Sequence, residues 1–187
     1  MSEFTKQKTE LSLKAKKGID FIVSASLVWL LITFIWTLSL SAYDKSVLTF
    51  IVGSLMLPMA LLLSKLFKTQ WKIKNNPLQP LGLWLNFAQL FYFPFLVFIL
   101  IKSPEYFVMT YAIITGAHLF PYGWLYNNLA YSVLAGVISI GTFMLALFID
   151  ADKIFVVPLF TALMLLILAI AILLSLKKIK SNQHNLK

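Results

Sequence analysis

The chain reads as an all-α integral membrane protein, a six-helix bundle with N-terminus and C-terminus both on the cytoplasmic side (N-in and C-in). Three features carry that reading. Of the 187 residues, 60% are hydrophobic and only 12% charged, with a mean hydropathy of +0.86. The apolar residues gather in six runs, each near the roughly 20 residues that a bilayer core of about 30 Å requires of a helix. Lysines collect at the ends of alternate runs. Only helices satisfy every backbone group inside one such run, and no ten-residue alternation points to a β-barrel.

Residues 1–17, "MSEFTKQKTELSLKAKK", are basic. They read as a cytoplasmic tail or as a short interfacial helix with Phe4, Leu11 and Ala15 on one face. The spans are expected at 18–42, 46–67, 81–101, 106–126, 129–149 and 154–176, followed by a basic cytoplasmic tail, 177–187. The first run is too long for a signal-peptide core of about 7–15 residues. Short polar connections ("YDK", "KSPE", "NN", "DADK") make consecutive spans antiparallel neighbours. Only "KTQWKIKNNPLQP", 68–80, is longer, and its Asn-Pro and Gln-Pro steps make it irregular. Span six, almost wholly aliphatic, is expected to face lipid. Ser132, Gly136 and Ser139 give span five a small-residue face for close packing, within the bundle or in a homodimer.

Charge sets the orientation. With the N-terminus inside, 13 of the 16 lysines lie on the cytoplasmic side, from Lys6 to Lys187, leaving Lys45, Lys102 and Lys153 outside. This obeys the positive-inside rule with both termini on the cytoplasmic side. The formal charge of +9 therefore points to anionic headgroups at the inner face, and no basic stripe reads as a nucleic-acid surface. With no cysteine and two distant histidines, His118 and His184, there is no disulfide and no zinc site of the usual kind, and no cofactor is expected. His184, in a polar tail, reads as solvated.

No Asp, Glu, Lys or Arg lies at midspan, which weakens proton-coupled transport and intramembrane aspartyl catalysis. What remains is a polar stripe. Tyr111, Thr115, His118 and Tyr122 share one face of span four; Asn86 and Gln89 share one face of span three; Trp29 lies on span one. At 1.5 Å per residue, His118 and Gln89 are both about 12 Å from the inner end and Asn86 about 7 Å. Pro121 is expected to kink span four and free the Ala117 carbonyl, with Gly116 and Gly123 leaving room beside it. A neutral imidazole needs both a donor and an acceptor in hydrocarbon, and the Asn86 and Gln89 amides can supply them.

Three functions stay open. The stripe of His118, Gln89, Asn86, Tyr111, Thr115, Tyr122 and Trp29 could line an inner-leaflet pocket that binds or transports a small or lipid-like molecule. It could instead only fix helix packing in a structural or regulatory subunit. Or His118 could act as general base of an intramembrane enzyme, although no activated serine accompanies it. "GAHLFPYGWLY", through Gly116, Ala117, His118, Pro121, Trp124, Leu125 and Tyr126, resembles a family of small bacterial multi-pass membrane proteins with no known activity. The resemblance implies a bacterial inner-membrane setting and a role for His118.

Overall fold

The computed structural model describes residues 2–184, with side chains through Ile179. The expectations for Lys187 and for the side chains of Lys180 and His184 lie outside the described residues. Among the described residues every regular element is helical: α1 (Glu3–Lys14), α2 (Ile19–Thr37), α3 (Ala42–Gly53), α4 (Met56–Phe67), α5 (Gln79–Leu90), α6 (Phe93–Lys102), α7 (Phe107–Leu125), α8 (Leu129–Phe148) and α9 (Val156–His184).

Prolines and caps explain where these helices start and stop. Pro58 cannot donate to the Ser54 carbonyl, and the second apolar run accordingly divides into α3 and α4. Pro94 does the same between α5 and α6, where Phe91 and Tyr92 make only short i−3 bonds to Ala88 and Gln89. Pro158 sits in the first turn of α9, where no N–H is needed. The first run ends at Thr37 rather than at residue 42 because Ser41 caps α3. Its Oγ accepts the Asp44 N–H (3.1 Å) and donates to the Asp44 carboxylate (2.6 Å), a side-chain N-cap. "YDK" is therefore the first turn of a helix, not a loop.

Five helical stretches are long and apolar enough to cross a membrane: Lys16–Thr37, Ala42–Phe67, Gln79–Lys102, Leu129–Phe148 and Ala151–Ile179. The helix α7 is not among them, because it carries the polar stripe. The connections at each end do meet as alternating topology requires. Ser12 of α1 donates to the Tyr126 carbonyl (2.9 Å) and Gln70 to Lys14 (3.0 Å) at one end. At the other, Ser46 donates to the Pro104 carbonyl (2.9 Å).

The core forms where α2, α7, α8 and α9 pack together. The expectation that span six faces lipid needs correction. Val157, Ala162, Leu165, Leu168 and Ile172 of α9 are fully enclosed, giving it an inward stripe against α2 and α8. An all-aliphatic helix hides which side is inward, since lipid and core accept the same residues. The α3–α4 and α5–α6 stretches are peripheral, and α5 buries none of its side chains.

The closest approach is between α7 and α8. A Cβ on Gly116 would lie 2.7 Å from Ile138 Cγ2 and from Ser139 Oγ; one on Gly123 would lie 1.9 Å from Ser132 Oγ. These glycines therefore admit α8 and do not leave the room anticipated beside Pro121. Held on both sides in this way, α7 runs through Pro121 without a break. Ser132 and Ser139 do pack closely as expected, whereas nothing stands within 4 Å of a Cβ on Gly136.

The N-terminal segment is a docked helix rather than a solvated tail. Ser2 caps α1, Leu11 and Ser12 are buried, and Phe4 and the Lys8 ammonium lie against the Trp124 ring at 6.0 and 4.2 Å. Lys14 and Asn76 engage the Glu10 carboxylate and hold it below its ordinary pKa, so the Asn76 contact persists as pH falls and is lost only beneath the usual carboxylate range.

The glycine contacts make a direct prediction. Gly116→Ala should overpack the α7–α8 seam and cost about 1–3 kcal/mol. Gly136→Ala, with open space before it, should be neutral or slightly stabilising through helix propensity. Thermal unfolding of the purified protein in detergent separates the two.

Candidate functional site

The polar stripe of α7 faces two different neighbours, and so forms two clusters. Near the α1 end, His118 Nε2 lies 3.3 Å from Asn86 Oδ1 of α5, and the Tyr122 hydroxyl donates to the Gly82 carbonyl (3.1 Å). Asn86 Nδ2 donates to that same carbonyl (3.1 Å), which turns its oxygen toward the imidazole. His118 must therefore carry its proton on Nε2 and donate. Nδ1 is then a lone-pair acceptor, and it is enclosed without a partner. The Thr115 backbone reaches the ring one turn back, but a carbonyl cannot satisfy an acceptor. Such an orphan costs about 1–3 kcal/mol. Tyr122 stands edge-on to the ring at 5.3 Å.

The amide partner is thus Asn86 and not Gln89, which is half-buried one turn farther along α5. The reason is a two-residue difference in where the helix begins. Pro80 is tolerated in the first turn, so α5 starts at Gln79 rather than at 81. Asn86 and His118 then each lie seven residues from the near ends of their helices, Gln79 and Leu125.

Deeper along α7, Tyr111 packs on Trp29 of α2, with ring centroids 5.3 Å apart and Trp29 2% exposed. Thr115, between the clusters, is buried and returns its hydroxyl to the Tyr111 carbonyl (2.9 Å). The structure brings His118, Asn86 and Tyr122 into direct contact, and places Trp29 and Tyr111 together on the next level. Two shallow cavities, of about 460 Å³ lined by Gly141, Met144, Leu145, Phe148, Ile149 and Phe160, and about 420 Å³ in the 72–80 loop, are not lined by His118.

A second polar centre was not foreseen. Lys16, Lys17 and Gly18 all take left-handed φ (45°, 52°, 68°), turning the chain sharply from α1 into α2. Any side chain at Gly18 would meet Tyr126 and Tyr131 at 3.2–3.3 Å. Directly after it, Asp20 is 1% exposed and accepts from Thr69 Oγ1 (2.7 Å) and Trp71 Nε1 (2.6 Å), fastening the long loop to the bundle. Lys17, 4% exposed, donates to Ser175 of α9 (2.7 Å), while the Tyr131 hydroxyl donates to the Lys17 carbonyl (2.6 Å). Lys16 reaches the Phe67 carbonyl. An acid in the first turn of an apolar run was the visible signal; its neutral partners, 49 and 51 residues away, were not.

Removing that carboxylate should release the loop. In Asp20→Ala, the Thr69 and Trp71 donors lose their acceptor, and tryptic cleavage at Lys72 and Lys74 should quicken several-fold while the helices keep their circular dichroism.

No curated protein and no solved structure matches the chain. A family of unknown function, DUF7010, matches residues 4–175, which span α1 to the last turns of α9. By that match, the chain belongs to the DUF7010 family of unknown function.

Proposed function

We propose that this is a six-span protein of the bacterial cytoplasmic membrane, with both termini inside, that binds and carries across the bilayer a small or lipid-like molecule at the α7 stripe. The observation that supports this best is the enclosed, unpartnered Nδ1 of His118, held in its acceptor tautomer by Asn86. It calls for a ligand with a hydroxyl or ammonium donor on an apolar body.

The surroundings fit such a ligand. The helix α5 buries none of its side chains and has no extended packing with α4. An apolar tail can therefore enter from the bilayer between them. Gln89 lies one helical turn from Asn86 on the same face of α5, while Thr115, Tyr111 and Trp29 form the floor deeper in. Including α7 as a span, which makes six in all, is supported by its position among the other helices, where polar side chains meet protein instead of acyl chains. The lysines at the α1 end sit where anionic headgroups would be.

One observation favours a second reading, a structural or regulatory subunit. The His118–Asn86 and Tyr122–Gly82 bonds are the side-chain hydrogen bonds that join α5 to α7, and a pin needs no ligand.

A photoreactive long-chain alcohol distinguishes the two. On the ligand reading it labels α4, α5 and α7 peptides around His118, and His118→Leu with Gln89→Leu abolishes labelling per folded molecule. On the pin reading the same pair lowers the unfolding temperature and leaves labelling per folded molecule unchanged; that result would discard the binding site.

A further inference from the structure

Independently of the His118 reading, we propose that the loop between α4 and α5 is a binding site for the phosphate-bearing headgroup of an anionic phospholipid. The shallow cavity there, about 420 Å³, is lined by Lys72, Ile73, Lys74, Asn75, Asn76, Pro77, Gln79 and Pro80.

The loop is built, not slack. Asp20 holds Thr69 and Trp71; Ile73 is 4% exposed; Asn76, 5% exposed, donates to the Gln7 carbonyl (2.8 Å) and Glu10 (3.1 Å). Asn76 Oδ1 also accepts the Leu78 N–H (3.0 Å), and Gln79 donates to the Trp71 carbonyl (3.3 Å). These ties set the exposed Lys72 and Lys74 on either side of buried Ile73, with Asn75 turned at φ 63°.

Three features select an anion with a lipid attached. The lining holds two ammonium groups and no carboxylate, and the sequence has no acidic residue between Asp44 and Glu105. Among the described residues no backbone carbonyl accepts from the amides of Lys72, Ile73, Lys74 or Asn75, which leaves these loop donors without a backbone partner. The loop joins two membrane-long helical stretches, and Trp71 and Trp84, 40% and 66% exposed, stand beside it as interfacial anchors do. Glu10, the acid that touches the lining through Asn76, is already engaged by Lys14 (2.5 Å).

The test is native mass spectrometry of the full chain in detergent, supplied with phosphatidylglycerol or phosphatidylcholine. The wild type should retain phosphatidylglycerol preferentially. Lys72→Gln with Lys74→Gln should cut that retention at least about tenfold with the unfolding temperature unchanged, since each lysine contributes separately to anionic-lipid attraction. Lys177→Gln with Lys178→Gln, which removes equal charge elsewhere, should not. Equal losses in the two variants would reduce the effect to diffuse charge and overturn the site. Displacement of the lipid by millimolar inorganic phosphate would overturn the lipid assignment in favour of a soluble phosphate. Loss of His118 labelling alone leaves this result untouched.

Discussion

The contact between α7 and α8 governs the rest of the molecule. At about 100° per residue, Gly116 and Gly123 fall on nearly the same line of α7, while His118 lies roughly 200° around from Gly116. Tyr111, Thr115 and Tyr122 cluster on that far side as well. Pressing the glycine line into Ile138, Ser139 and Ser132 of α8 therefore aims the polar stripe away, toward α2 and α5. Larger residues at the two glycines would hold the helices apart and leave the rotation of α7 undetermined. Without that rotation, neither the Trp29–Tyr111 stack nor the His118–Asn86 contact has a reason to form.

The same clamp explains why three interior prolines behave differently. Pro58 and Pro94 lie on peripheral stretches with lipid-side freedom, and there the helices break. Pro121 lies between Gly116 and Gly123, where α8 holds both flanking turns, and the helix continues. The broken, loosely buried stretches are the ones that can move with small loss of packing. The unbroken one carries the histidine.

Much of this was legible in the residues. Apolar length marked six runs, five of which are helical stretches long and apolar enough to cross a membrane, and the 4, 3, 4 spacing of Tyr111, Thr115, His118 and Tyr122 marked one face of one helix. Of the two amides expected beside His118, Asn86 meets it and Gln89, expected at the matching depth, does not, because apolarity begins at Leu81 whereas the helix begins at Gln79, with proline in its first turn. The docking of α1 was hidden for a different reason: its anchors, Ser12, Asn76 and the Tyr126 carbonyl, are polar groups whose pairing leaves no periodic trace. Gly18 and Asp20 show the limit most sharply. A left-handed turn and a buried carboxylate are both set by residues far along the chain, Tyr126, Tyr131, Thr69 and Trp71, and the local sequence shows the acid but not its partners.

These polar ties at the α1 end also connect the two proposed sites. Asp20 fixes Trp71, the Trp71 carbonyl accepts from Gln79, and Gln79 is the first residue of α5. Asn76 ties the same loop to α1, which is itself seated on the Tyr126 carbonyl at the end of α7. The helix α5 is therefore held at its base by the loop and at Gly82 and Asn86 by α7, with only partly buried side chains such as Leu81 and Leu85 against the core. A headgroup seated among Lys72, Lys74 and Asn75 would load the first of these attachments, and a donor ligand on Nδ1 of His118 would leave the Nε2–Asn86 contact in place. Both proposed sites would therefore bear on one lightly packed helix, α5.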